Sequence, residues 1–265
     1  DALETNDDLE LLFEVLSNQK EQKPIITANF LTANPDFSKI KKSGFKEYSW
    51  EPLETTLSQR PDCNRVKELW LKGYDEGFFV PQLHGREHLN ISRWMSDLNS
   101  GNEETLLGFD LGTSGISGHT VRHKRSSYQA AFDQGKPAFP VYHSKVLQEA
   151  VSEFKRIFGF SPITFIAPNY VWGAEVEKET AKMGISHLQG TTAQRLPRNE
   201  GEKLRVKRNF LGNQNQYGQK YLIRNASFEP FSAPDKDWVD SCMNDIGNAF
   251  FWNKPAIISM HRVNF

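Results

Sequence analysis

Apolar residues are spaced along this chain in two alternating patterns, one helical and one extended. Leu9 to Leu16, Asn64 to Gly77, Ile91 to Leu98, His143 to Phe158, Ala174 to Met183 and Asp237 to Trp252 carry them three and four residues apart, the spacing that buries one stripe of a helix. Asn6, Asp7 and Asp8 suit the N-terminus of the first helix, and Gly184 suits the C-terminal cap of the fifth. Between them lie short β-branched or aromatic runs, Pro24 to Phe30, Phe78 to Leu83, Ile163 to Ala167, Ser186 to Gln189, Tyr221 to Asn225 and Ala256 to Met260, which predict strands. Strands separated mostly by helices predict an α/β chain with a parallel sheet and crossovers, not a sandwich.

Three stretches break the pattern. Leu31 to Pro61 is polar, aromatic and proline-punctuated, too long for an ordinary connection and hence a candidate site loop. Gly108 to Lys136 is irregular, and Arg195 to Gln219 is a basic, polar excursion expected to be exposed. Nothing repeats at a fixed period and no boundary divides the chain, so residues 1–265 are read as one domain. Because the chain opens on a helix and stops just past a strand, a barrel read from it would continue beyond both ends, with its first strand ahead of Asp1. Basic and acidic residues number 32 and 33, so no global field attracts nucleic acid or an anionic membrane. No apolar run approaches the roughly 18 residues of a membrane span, and Asp1 to Thr5 form neither a signal nor a transit segment. Cys63 and Cys242 lack zinc-like spacing and are read as free thiols.

Candidate chemistry centres on His84-Gly85-Arg86-Glu87-His88, where a predicted strand ends and a helical pattern begins. Polar groups at strand ends of an α/β sheet converge on the crevice that helices leave open. Two histidines four apart on a helical turn could face one divalent ion. The zinc-protease motif HExxH puts its glutamate directly after the first histidine, whereas Gly85 stands there, so that reading fails. His119 and His123 repeat the spacing in a glycine-rich loop without an apolar lead-in. Gly112, Gly115 and Gly118 lack the Lys-Ser/Thr of a phosphate loop. No serine occupies a nucleophile elbow, and neither cysteine has a histidine nearby in sequence.

Three separated pieces together resemble the metal-dependent polysaccharide deacetylases, family four of the carbohydrate esterases, and most of all the divergent deacetylase-like proteins of bacterial polysaccharide gene clusters. His84 to His88 matches that family's metal-binding histidine pair. Phe165-Ile166-Ala167-Pro168-Asn169-Tyr170 keeps the proline of a later motif, with Ile166 where an arginine is expected. Ile257 to His261 matches an apolar strand that ends in the general-acid histidine. The pieces span residues 78–265 in the family's order. The family's paired aspartates, one a metal ligand and one the base, have no counterpart after a strand: Asp7-Asp8 is the only adjacent pair and opens a helix. Asp235 and Asp237 match the fourth motif only loosely.

The resemblance implies a distorted (β/α) barrel of the glycoside hydrolase and deacetylase type, seven-stranded, that removes acetyl groups from a polysaccharide or sugar-containing precursor. It implies a divalent metal, zinc by preference, on His84 and His88, and His261 as general acid. Glu229, after a strand, is a further catalytic candidate. Asn169, Tyr170, Trp172, Arg86 and Arg262 are candidates for holding the saccharide, the arginines alternatively for holding carboxylates behind the metal ligands. Two rival readings keep the fold: cleavage of a glycosidic bond using Glu229, and non-catalytic glycan binding.

Overall fold

The computed structural model describes residues 3–19, 25–116, 127–134, 139–199, 201–261 and 264. Helix α1 (Asn6–Ser17) opens through a reciprocal cap in which the Thr5 hydroxyl accepts from the Asp8 amide at 3.2 Å and the Asp8 carboxylate accepts from the Thr5 amide at 2.8 Å. Strand β1 (Ile26–Leu31) follows, then the antiparallel pair β2 (Ala33–Pro35) and β3 (Trp50–Pro52), which enclose α2 (Phe37–Lys42) and lead into α3 (Leu53–Ser58). After α4 (Val66–Asp75), Gly77 turns the chain at φ +73° into β4 (Phe79–Gly85). The side chains of Asn90 and Asn102 cap α5 (Ile91–Asn99) and α6 (Glu103–Asp110). The alternation resumes with α7 (Phe139–Phe158), β5 (Thr164–Ile166), α8 (Ala174–Lys182) and β6 (His187–Gly190). A hairpin of β7 (Ala193–Arg195) and β8 (Val206–Arg208) precedes β9 (Lys220–Ile223) and β10 (Ala226–Ser227). Asp237 caps α9 (Trp238–Phe251), and β11 (Ile258–Ser259) comes last.

β1, β4, β5, β6 and β9 lie side by side in that order, each neighbouring pair parallel, which gives a mixed α/β fold around a five-stranded sheet. Phe30, Leu83, Phe165, Leu188 and Tyr221 are partners in register across all five strands. That row meets Phe13 of α1, Trp70 of α4, Phe154 of α7 and Val176 of α8 in the main core. Each large apolar side chain buried there contributes about 1.5–3 kcal/mol. The opposite face of the sheet carries polar side chains on three of its strands. Gln189 of β6 donates to Asn29 of β1 at 2.8 Å and to Thr164 of β5 at 2.7 Å. In a flat sheet β1 and β6, with two strands between them, would stand about 14 Å apart. A direct side-chain bond across that span requires the sheet to curl towards its polar face.

Pro81 lies inside β4, where its missing N–H would break a ladder. The β4–β5 ladder is confined to the Leu83–Phe165 pair, and the side-chain oxygen Oε1 of the buried Gln82 accepts from the amides of Ile163 at 3.1 Å and Thr164 at 2.7 Å. Five of the expected strands form this sheet. The sixth, expected over Ala256 to Met260, shortens to β11 and pairs with β10. The expected site loop from Leu31 to Pro61 is instead structured by β2, β3, α2 and α3, with Ile40 in a second core beside Trp94, Phe109 and Tyr128. Those elements are only three to six residues long, below the window in which periodicity is legible. No helix among the described residues is long and apolar enough to cross a membrane, and both cysteines are free and buried.

Candidate active site at the strand ends

His84 is placed by a fault in the ladder. Phe30 of β1 pairs with Leu83 and the next residue, Leu31, pairs with Gly85, so His84 is the extra residue of a β-bulge. Gly85 makes the bulge possible with φ +126°, a conformation closed to most side chains. His88 then sits in the turn beyond β4, ahead of α5, so a bulge and a turn, not a helical turn, bring the two histidines together. Their ring centroids are 4.9 Å apart at an interplanar angle of 72°. Two imidazoles bound to one tetrahedral ion through bonds of about 2.0–2.1 Å would have centroids roughly 5 Å apart.

Both rings are neutral, the form in which an imidazole nitrogen keeps a free lone pair. His84 Nδ1–H donates to the Ile166 carbonyl at 2.8 Å, which leaves the lone pair on Nε2. Nδ1 of His88 is buried without a hydrogen-bond partner. Burial lowers the His84 pKa to about 3, helped by the nearby charges of His88, Arg224 and His261. Burial lowers His88 to about 4, and His261 again contributes. Among the described residues no third His, Cys, Asp or Glu completes a metal-binding group with this pair. Asp7 and Asp8 form the first turn of α1, so they do not stand at a strand end.

A cleft of about 500 Å³ opens at the ends of β5, β6, β9, β10 and β11, lined among others by Tyr170, Thr191, Arg224, Glu229, Asp245 and His261. Neither His84 nor His88 lines it. His261 Nδ1–H donates to Glu229 Oε1 at 2.8 Å, and its amide to Oε2 at 3.3 Å. The ring therefore offers Nε2 outward from a side chain that is 68% exposed. The two catalytic candidates are thus hydrogen-bonded to each other, with Glu229 fixing the orientation of the His261 ring. Arg224, which the sequence reading did not single out although it ends a strand, donates to the Tyr170 hydroxyl at 3.0 Å and to Ser259 at 3.2 Å. Asp245 reaches the cleft from α9 and gave no sequence signal. Asn169 and Tyr170 both adopt left-handed backbone, φ 57° and 56°, at a typical cost of about 1–3 kcal/mol for each strained residue.

Two candidates for holding saccharide are unavailable to it. Trp172 is 2% exposed in the main core, its Nε1–H donating to Glu177 at 3.2 Å, so it packs the sheet and presents no face to a sugar. Arg86 is 3% exposed and forms a buried ion cluster with Glu87 and Glu149, its guanidinium 5.1 Å from the Trp50 ring centre. It is the alternative role, holding carboxylates, that Arg86 fills. Asn169 lines a smaller cleft beside Arg195 and Asp133. Arg262, His119, His123, Gly118 and Pro24 lie outside the described residues. No protein-family model matches the chain, and no curated protein matches it.

Burial of these rings makes stability depend on pH. His84, His88 and, through burial, His143 at about 4 all sit below the ordinary histidine value of 6.5. Below 6.5 the unfolded chain takes up protons that the folded chain refuses, so the contribution is complete above that pH and shrinks as pH falls towards 4. Burial pushes Glu87 up, which opposes this in sign. Each ring contributes about 2 kcal/mol of loss between pH 7 and pH 5, less what Glu87 offsets, so stability to urea is expected to fall by several kcal/mol, and a flat profile would contradict the buried neutral state of the rings.

Proposed function

We propose that this chain is a deacetylase-type (β/α) barrel that hydrolyses acetyl groups on a polysaccharide or sugar-containing precursor with a divalent cation, zinc by preference. The observation that carries the reading is the His84–His88 pair, neutral, 4.9 Å apart and oriented through Ile166. Support for the barrel comes from strand order that follows the chain and from the curl that joins β1 to β6. The seven-strand count and closure are part of the proposal.

His84 and His88 would hold the cation, which, when bound, polarises the acyl carbonyl and makes water a better nucleophile. Glu229 fixes the His261 ring so that Nε2 meets the cleft. As water adds to the carbonyl carbon, His261 Nε2 accepts its proton. The same nitrogen then returns the proton to the leaving sugar oxygen or nitrogen as the C–O or C–N bond breaks. Arg224 and Tyr170, joined by their hydrogen bond, form a polar wall for the saccharide. Replacing Glu229 by glutamine keeps the shape but removes the charge that stabilises the protonated ring. Acetate release should fall about 10²- to 10⁴-fold with KM little changed.

A second reading has its own support, because Glu229 and Asp245 line one cleft and glycosidic cleavage ordinarily uses two carboxylates. New reducing ends, lost in both Glu229→Gln and Asp245→Asn, would establish it. Sugar binding with neither product would leave a glycan-binding protein.

A further inference from the structure

We infer that the β7–β8 hairpin is a binding surface for an anionic glycan, which makes the substrate of the proposed hydrolase an acidic sugar polymer; the substrate assignment rests on that proposal, the binding surface does not. In a chain of 32 basic and 33 acidic residues, the stretch from Arg195 to Arg208 holds six basic and two acidic ones. Such local segregation creates a positive field that the whole-chain balance conceals.

The hairpin also has two unlike faces. Its inner face is satisfied: Gln194 donates to the Trp172 carbonyl at 2.7 Å, and Lys207 reaches Tyr221 at 2.7 Å and Glu177 at 3.3 Å. On its outer face the register pairs Ala193 with Arg208 and Arg195 with Val206, making Arg195 and Arg208 diagonal neighbours roughly 7–8 Å apart. Both are exposed, and among the described residues neither forms a salt bridge. Two unpaired like charges on one face repel each other and favour a bound polyanion.

Position ties this face to the site. Arg195 bridges to Val171, and the Trp172 amide donates to the Arg195 carbonyl at 3.2 Å, next to Asn169 and Tyr170. Arg195 and Asn169 line the smaller cleft, and Tyr170 lines the larger one. Asp133, the acid of the smaller cleft, is already matched by Arg93 at 2.9 Å. A chain lying across both clefts would pass from the guanidiniums to His261.

The test titrates the whole chain with polygalacturonate, neutral dextran of similar length and a single-stranded oligonucleotide at low and high salt. Polygalacturonate should bind, weaken with salt, and lose about fivefold to tenfold in Arg195→Ser/Arg208→Ser while Arg195→Lys/Arg208→Lys retains most of it. Melting curves of the variants check that they fold. Equal binding by the serine variant, dextran bound as tightly, or the oligonucleotide bound more tightly would each overturn the inference. His84→Ala should still bind. Binding without acetate release would fail the hydrolase proposal alone, and acetate release without charge-dependent binding would fail the glycan inference alone.

Discussion

Replacing His84 by alanine is expected to lower cation-stimulated acetate release by about a hundredfold or more, since removing mere outer partners of metal ligands already costs about 10- to 100-fold. The lone pair at Nε2 exists because Nδ1–H is committed to the Ile166 carbonyl, and that carbonyl stands at the end of a different strand, β5. Alanine removes both the donor to the ion and the link between β4 and β5. The structural loss is one hydrogen bond of about 1 kcal/mol, small beside the catalytic effect. Bound metal measured on the purified chain should fall in parallel. With the imidazoles at about 3 and about 4, protons do not compete for them near pH 5, so metal affinity should stay flat from pH 8 to 5 and decline only towards 4. Acetate release that survives both a chelator and His84→Ala would end the proposal.

Arg86→Met is expected to destabilise the fold by about 3–5 kcal/mol, because it leaves Glu87 buried with no opposing charge. At about 2–4 °C for each kcal/mol in a chain of this size, the melting temperature should drop roughly 10 °C. Arg86 Nη2–H donates to Glu87 Oε1 at 2.6 Å and the guanidinium also engages Glu149. Its main-chain carbonyl meanwhile accepts from the amides of Thr32 at 3.0 Å and Ala33 at 2.8 Å, which docks the start of β2 against the end of β4. Burial already holds the Glu87 carboxyl above its ordinary value, and loss of Arg86 would raise it further. Protonation then relieves the unpaired charge, so the destabilisation should be larger at pH 8 than at pH 5. The double change Arg86→Met/Glu87→Met should recover most of the loss, and a double variant no better than the single one would refute the ion-pair account.

Much of this could be read from local sequence. Helix boundaries followed caps and apolar spacing, as at Asn90 before α5 and Asp237 before α9. Five strands followed from β-branched and aromatic runs, because a strand buried on its helix side must be apolar there whatever its neighbours are. His84, His88 and His261 were recognisable as strand-end polar residues, and the same rule also fits Arg224. Local sequence left Trp172 open between sugar stacking and core packing, because an aromatic after a strand end can turn either way, and the ring packs inside against Gly190 with its Nε1–H on Glu177.

By itself, then, the sequence determined the alternation of elements, the basic excursion and which strand ends carry polar groups, since these depend on spacing within a few residues. Tertiary structure decided the rest: the bulge that aims His84, the meeting of the His84 and His88 rings, the Glu229–His261 pairing across 32 residues and the burial of Arg86. Those outcomes depend on how strands curl and register against one another, and that is set by core packing between segments far apart in the chain, not by any local preference.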